Sequence, residues 1–379
     1  MRASSGIVPR LMNLVLLHND DANALENDPG REAREDVERV ALALAAALTT
    51  RGHRVRVLAA GANLTFLGAL KSERPELVVN LCESLEGDAR GEMLVPSLLE
   101  LLGLPYTGSP ALALGLALHK DRAKQILRGA GISTPGFAVV EQLADLAAVD
   151  LEFPLIVKPA REDASTGIDF ESVVSDRAQL ERAVVRVLTT LHQPALIEQY
   201  IAGREIYVPI FGNAPRRALP LTEIEYGPYY DERPRIVSYK AKWELESIEC
   251  IQTNSGPALL DRELEERCIR TAFAAFDALG CRDYGRVDLR VTADGRPMVI
   301  DINPNCDLHP EAGYARTARN AGLGYAELAE SLVQIALDRS RIGALNHEYP
   351  SHSTFGPGAA LVAAESDAGV HAGRDQLRA

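Results

Sequence analysis

The sequence predicts an α/β chain that starts on a parallel sheet and carries an antiparallel hairpin towards its far end. Two observations predict it. Up to Gly103, short apolar runs alternate with helical stretches, and from Tyr284 to Asp307 the chain reads YGRVDLRVTADGRPMVIDINPNCD. Alternation of strand and helix argues for a parallel sheet covered by helices on both faces. In the second segment, Arg286–Thr292 and Pro297–Asn303 alternate apolar and polar residues around Ala293-Asp294-Gly295-Arg296. An Asp-Gly pair between two such runs is a strong hairpin signal.

The elements follow in order. Leu11–Leu17 is strand-like, Glu32–Thr50 is an alanine-rich helix stopped by Gly52, and Val55–Leu58 is the next strand. A helix near Leu64–Lys71, a strand at Leu77–Leu81 and a helix at Glu92–Leu102 complete the alternation. Ligands bind at the carboxyl ends of such strands, where His18-Asn19-Asp20 and Asn80-Leu81-Cys82-Glu83 lie. One helix is expected over Leu116–Gly129, then Phe137–Val140, a short helix near Gln142–Ala148, and a strand Leu155–Val157 ending at Lys158-Pro159. After the loop Ala160–Gly167 come a strand Asp169–Val174, a helix Arg177–Leu191, a strand Ala195–Gln199 and, late in the chain, a helix Tyr325–Asp338. From about Arg341 onward no periodicity is visible, and a disordered tail is expected.

Bulk properties narrow the function. At 379 residues, two or three domains are expected. A net charge of -13 with no basic tract excludes a general nucleic-acid or anionic-membrane binder, but not a local basic pocket for a small anion. No apolar run of about eighteen residues suggests a membrane span. Leu11–Leu17 reads as a buried strand and not a signal peptide, because Asn13 interrupts the apolar run and no small-residue cleavage site follows. Five cysteines without a C-x-x-C spacing fit free thiols in a reducing cytoplasm. Cys306 and His309 lie close together, but two ligands do not make a metal site.

The hairpin carries chemistry. Side chains two apart on a strand share a face, so Arg286 groups with Asp288, and Asp301 with Asn303. If both faces point the same way, a guanidinium, two carboxylates and an amide meet. Hard oxygen ligands of this kind suit Mg²⁺, and the arginine would stabilise negative charge beside it. Lys158, at a strand end before the loop with Ser165, Thr166 and Gly167, fits a phosphate holder or a solvated strand terminus. Glu198 could accept from an adenine amino group while the backbone reads the ring edge; it and Glu205 could equally be surface charges. No G-x-x-x-x-G-K-[ST], strand-linked G-x-G-x-x-G, G-x-S-x-G or H-E-x-x-H occurs.

Taken in order, ELLGLPYTGS (Glu100–Ser109), HKDRAKQILRGAGISTP (His119–Pro135), FPLIVKPA (Phe153–Ala160), LIEQYIAGREIYV (Leu196–Val208), KAKWELES (Lys240–Ser247) and the hairpin resemble the ATP-grasp superfamily, and within it the D-alanine–D-alanine ligase family. The resemblance implies an ATP-grasp fold: an N-terminal parallel α/β (pre-ATP-grasp) domain over 1–115, a small central α+β lid domain over 116–193, and a C-terminal α+β domain with an antiparallel sheet over 194–340, with 341–379 as the tail. It implies ATP and two Mg²⁺ ions, with Mn²⁺ as a substitute, amino-acid or small-peptide substrates, and a homodimer, with no nucleic-acid or membrane partner. Lys120 and Lys158 match the lysines on the ATP phosphates, with Ser165 on the loop beside them. Glu198, Tyr200 and Ile201 match the adenine site, Glu205 the ribose acid and Lys242 the lysine near the γ-phosphate. Arg286 matches the arginine on the reacting carboxylate, and Asp288, Asp301 and Asn303 match the metal ligands.

The departures fall on substrate positions. The family's N-x-S-P-G-M-T run leads to a serine that holds the second substrate's carboxylate. Here Asn303 continues as Pro304-Asn305-Cys306-Asp307-Leu308-His309-Pro310-Glu311. The L-H-G-x-x-G-E-D-G segment appears as Leu81-Cys82-Glu83-Ser84-Leu85-Glu86-Gly87-Asp88. Ala164-Ser165-Thr166-Gly167 stands where the family has G-S-S-x-G, Trp243 replaces a tyrosine, and the amino-terminal S-x-E motif has no clear counterpart at His18–Leu25. The expected activity is an ATP-dependent carboxylate–amine ligase proceeding through an acyl phosphate. D-Ala-D-Ala synthesis itself, a small-molecule kinase and a non-catalytic nucleotide binder are the alternatives. Glu83, Asp307, His309 and Glu311 are candidate substrate readers, since acids suit an amine, or else solvated loop charges. The segment between Tyr226 and Glu249 is a candidate lid.

Overall fold

The computed structural model describes residues 10–21 and 31–346. It is a mixed α/β structure built on three sheets. The first contains β1 (Asn13–Asn19), then α1 (Arg31–Thr50), β2 (Arg54–Ala60), α2 (Thr65–Glu73), β3 (Leu77–Asn80) and α3 (Leu94–Leu101), with strand order β2-β1-β3, all parallel. Leu14 and Leu16 pack on the α1 side, while Val15 and Leu17 pack on Phe66, Leu70, Val95 and Leu99 of α2 and α3. A strand apolar on both faces is what a central parallel strand requires. Each such fully buried side chain contributes about 1.5–3 kcal/mol.

The single helix expected over Leu116–Gly129 is two, α4 (Ala111–Leu118) and α5 (Lys120–Gly129). His119, at ψ 78°, breaks the helix between them. The Lys120 amide donates to the Ala160 carbonyl, a tertiary partner that local periodicity does not reveal. The second sheet holds β4 (Phe137–Val140), β5 (Leu155–Pro159), β6 (Val173–Val174) and, after α6 (Arg177–Thr190), β7 (Ala195–Gln199), in the order β4-β7-β5-β6. The strand expected from Asp169 is shorter. Asp169 caps a 3-10 turn over Phe170–Ser172 through a reciprocal Asp-Ser box, which leaves only Val173–Val174 to pair.

The third sheet contains β8 (Arg204–Phe211), β9 (Arg217–Ala218) and β10 (Thr222–Tyr226). Helices α7 (Tyr239–Trp243) and α8 (Ile248–Ile251) precede β11 (Thr253–Pro257), and α9 (Arg262–Ala278) precedes β12 (Tyr284–Val291) and β13 (Pro297–Asn303). Its order is β11-β10-β8-β12-β13, antiparallel throughout, with β9 paired to β8. Alternation sorts its faces. Ile206, Val208, Ile210, Val287 and Leu289 pack on Leu264, Cys268, Ala272 and Phe276 of α9. The side chains between them, Glu205, Tyr207, Arg286, Asp288 and Arg290, line a cavity on the other face.

Two helices follow, α10 (Gly313–Asn320) and α11 (Tyr325–Asn346). Leu328, Leu332 and Val333 of α11 join the core beneath α1, and Glu330 pairs with His53 at 2.6 Å. Residues 341–346, expected as the start of a disordered tail, belong to the helix, which continues through Asn346; the remainder of the expected tail lies outside the described residues. So does most of the His18–Leu25 comparison, of which only residues to Asp21 are described. Among the described residues no helix is long and apolar enough to cross a membrane.

Gly203 marks where β8 leaves the edge of β12. A Cβ there would overlap the Val291 carbonyl oxygen, and Gly203's own carbonyl accepts from Arg290 at 3.0 Å. Gly203→Ala should destabilise the chain by about 3 kcal/mol through overpacking, read as a fall in the urea midpoint.

Candidate active site

The hairpin register brings its four chemical groups together. Arg286 pairs with Asn303 and Asp288 with Asp301 across β12 and β13, with a register shift immediately after Asp288. Arg286 donates twice to Asp288, at 2.6 and 2.8 Å, and Asn303 donates to the same carboxylate at 3.2 Å. Its guanidinium also stacks 4.4 Å from the centre of the Tyr207 ring. Burial opposes the charge on Arg286, but Asp288 holds its pKa well above the usual value. Asp301 is paired elsewhere, with Lys120 at 3.0 Å. Burial pushes against its charge, yet Lys120 and Lys158 hold its carboxyl below the ordinary range.

A second cluster joins this one from the central sheet. Glu198 on β7 is 1% exposed and lies between Lys124 at 2.8 Å and Lys158 at 2.9 Å. Antiparallel pairing of β5 with β7 sets Glu198 opposite Ile156, two residues from Lys158 on the same face. Burial works against the Glu198 charge, and the two ammonium groups still pull its carboxyl down. Lys120 also reaches Asp163, in the loop after β5, at 2.8 Å. Glu205 is held by Arg290 at 2.6 Å and by the hydroxyls of Tyr226 and Tyr207 at 2.9 and 3.0 Å. A buried cluster of alternating charge is stable only while each member keeps its partners.

Most of these groups line one cavity of about 630 Å³; Lys120, Lys124 and Tyr226 are not among its lining residues, and Lys120 reaches it only through Asp163 and Asp301. Lys158, Ser165, Glu198, Tyr200, Ile201, Glu205, Lys242, Arg286, Asp288, Asp301 and Asn303 all line it, as do Glu83, Asp307 and Glu311. His309 does not; its ring nitrogen accepts from the Glu311 amide at 3.2 Å, and Glu311 also pairs with Arg319 at 3.3 Å. Lys242 forms no ion pair among the described residues, and its ammonium sits 5.2 Å from the Trp243 ring centre. Burial, then the charge of Arg286, lowers its pKa.

The segment expected as a lid is bound to the loop expected to hold phosphate. Ser165 donates to the Val237 carbonyl at 2.9 Å, Trp243 to the Ala164 carbonyl at 3.0 Å, and the Tyr239 amide to the Ile168 carbonyl at 3.0 Å. Ala164 and Ser165 have φ of 57° and 62°, a left-handed backbone that costs energy without glycine and is held in place by these partners.

Sequence reasoning does not single out Lys124, Asp163, Tyr207 or Arg290. Two of them carried a signal: Lys124 is four residues after Lys120 and shares its helix face, and Arg290 continues the series Arg286, Asp288. Among the described residues no cluster of three His, Cys, Asp or Glu side chains could hold a metal ion. The hairpin offers two carboxylates and an amide oxygen, a set that fits Mg²⁺ once substrate phosphates supply further oxygens.

The family model described as D-ala D-ala ligase C-terminus matches residues 126–334. A D-alanine–D-alanine ligase from Synechococcus sp. (strain JA-2-3B'a(2-13)) is 31% identical over 338 residues, covering 86% of this chain and 97% of the relative. An uncharacterised protein, y4sG, from Sinorhizobium fredii is 36% identical over 261 residues, or 69% of this chain and 74% of that one. The crystal structure of the Bacillus anthracis D-alanine–D-alanine ligase complexed with ATP shares the fold, with a TM-score of 0.66 at 23% identity over 88% of this chain and 99% of that one. So does a D-Ala:D-Ser ligase from Enterococcus faecalis, with a TM-score of 0.65 at 18% identity over 86% of this chain and 99% of that one.

Proposed function

The chain belongs to the D-alanine–D-alanine ligase family, and from that premise we propose that it joins a donor carboxylate to an acceptor amine while cleaving ATP to ADP and phosphate. The observation that carries this reading is the convergence of Arg286, Asp288, Asp301 and Asn303 with Lys158 and Lys242 on one cavity. A carboxylate is a poor acyl donor. Phosphorylation by ATP makes it an acyl phosphate, which an amine attacks with loss of phosphate. The protein needs no covalent nucleophile for this, only charge clamps and positioning.

Roles follow from place. Lys158, Lys120 and Lys242 would neutralise the triphosphate under the Ser165 loop. Adenine would rest against Tyr200 and Ile201, with Glu198 as acceptor for its amino group, and Glu205 would take the ribose. Asp288, Asp301 and Asn303 would hold Mg²⁺ or Mn²⁺, which when bound would draw charge from the phosphate oxygens. Arg286 would donate to the oxyanion that forms on the acyl carbon. We also propose a homodimer, on family membership, and a cytoplasmic setting, on the five free thiols.

The substrates are amino acids or small peptides. A second reading is D-alanine on both sides, as in the named relatives. Against it stand Asp307 and Glu83, cavity-lining acids in the two segments that depart from the family's substrate motifs. The protein should be assayed with ATP, Mg²⁺ and a panel of D- and L-amino acids. ADP release with a product mass equal to the pair less water supports ligation. A stable phosphorylated acceptor would mean a kinase, and no amine-dependent ADP release for any pair would overturn the ligase reading.

A further inference from the structure

Glu83 follows β3, and its backbone is fixed from three sides. Its amide donates to Asn19 Oδ1 at 3.2 Å; the Cys82 carbonyl accepts from Asn305 at 3.0 Å, and Ser84 Oγ donates to Asp21 at 2.8 Å. Thus the ends of β1 and β3 and the segment after β13 aim this residue into the cavity that Arg286 and Lys242 share. Its carboxylate accepts no hydrogen bond and forms no ion pair among the described residues. Every other acid of the hairpin and ATP-side clusters has a cationic partner within 3.0 Å. Around Glu83 stand Asp307 from the segment after β13, Lys242 of α7, Asp163 from the loop after β5 and Asp36 of α1, with Glu92 nearby.

From this placement, and resting on the ligase reading above, we propose that Glu83 is the proton acceptor for the attacking amine, with Asp307 holding the same ammonium. An amine arrives protonated at neutral pH and cannot attack until its lone pair is free. Glu83 takes one proton from the ammonium, and the lone pair forms the C–N bond to the acyl carbon. The bond from that carbon to the phosphate oxygen then breaks, its electron pair leaving with phosphate, which carries off the second N–H proton. Burial, reinforced by the like charge of Asp307, pushes the Glu83 carboxyl up to about 8. A base with its pKa close to the working pH is well suited to such a transfer.

Hydroxylamine provides the test, because it is largely unprotonated at neutral pH and needs no base. With a donor amino acid, ATP and Mg²⁺, the wild type should form both the amide with an amino-acid acceptor and the hydroxamate. Glu83→Gln should lower kcat/KM for the amino-acid acceptor by about 10²-fold while leaving hydroxamate formation nearly intact, which also shows that the variant is folded. The wild type's amide-forming kcat/KM should rise through pH about 8, and the variant's should lose that rise. Glu83→Asp should restore part of the activity and of that rise. Equal loss with both nucleophiles, or no loss with either, overturns the proposal. A wild type that releases ADP with neither nucleophile overturns the ligase reading, and this proposal with it.

Discussion

Arg286→Met should lower kcat by about 10²–10³-fold, the cost of removing a donor aimed at a developing oxyanion. Arg286 donates through two nitrogens to Asp288, so its fork is fixed before any substrate arrives. Preorganised donors cost no reorientation during the reaction, which is why one guanidinium has so large an effect. Lysine keeps the charge but loses the planar fork, and Arg286→Lys should fall between the two. ATP binding should change little, because the nucleotide-side pairs of Glu198 and Glu205 do not involve Arg286. Steady-state kinetics with equilibrium nucleotide binding separate the two effects. Equal losses in both would mean that Arg286 is a structural residue.

Asp301→Asn should raise the Mg²⁺ concentration needed for half-maximal turnover and lower kcat by about 10²-fold, since metal stabilisation of phosphoryl charge is worth several kcal/mol. The substitution keeps the shape and removes one anionic ligand. Lys120 would keep Asp163, 2.8 Å away, so the fold should survive. Added Mg²⁺ or Mn²⁺ should recover part of the rate. A magnesium titration that matches the wild type would remove Asp301 from the metal site.

The hairpin was readable because its signals are local. An alternation of period two and an Asp-Gly turn assign Arg286, Asp288, Asp301 and Asn303 to one face without knowledge of any neighbour. The register shift after Asp288 was not readable, since a bulge leaves no fixed sequence mark. Lys158 and Glu198 are each legible alone. Their ion pair depends on antiparallel pairing of strands that α6 separates, and nothing local specifies it. The break at His119 shows the same limit. Helical periodicity runs across it, and the Lys120 amide bonds to the carbonyl of Ala160, the residue after β5, forty positions on. The Asp169 turn could have been found: an acid followed three residues later by Ser172 is a capping pattern, here read as the start of a strand.

Oxygen-isotope transfer tests the central claim most directly. A donor amino acid labelled with ¹⁸O in its carboxylate is turned over with ATP, Mg²⁺ and an acceptor amine, and the released phosphate is analysed by mass spectrometry. An acyl phosphate requires one labelled oxygen to pass from the carboxylate to phosphate in each turnover. Unlabelled phosphate, released alongside a condensed product, would contradict the account.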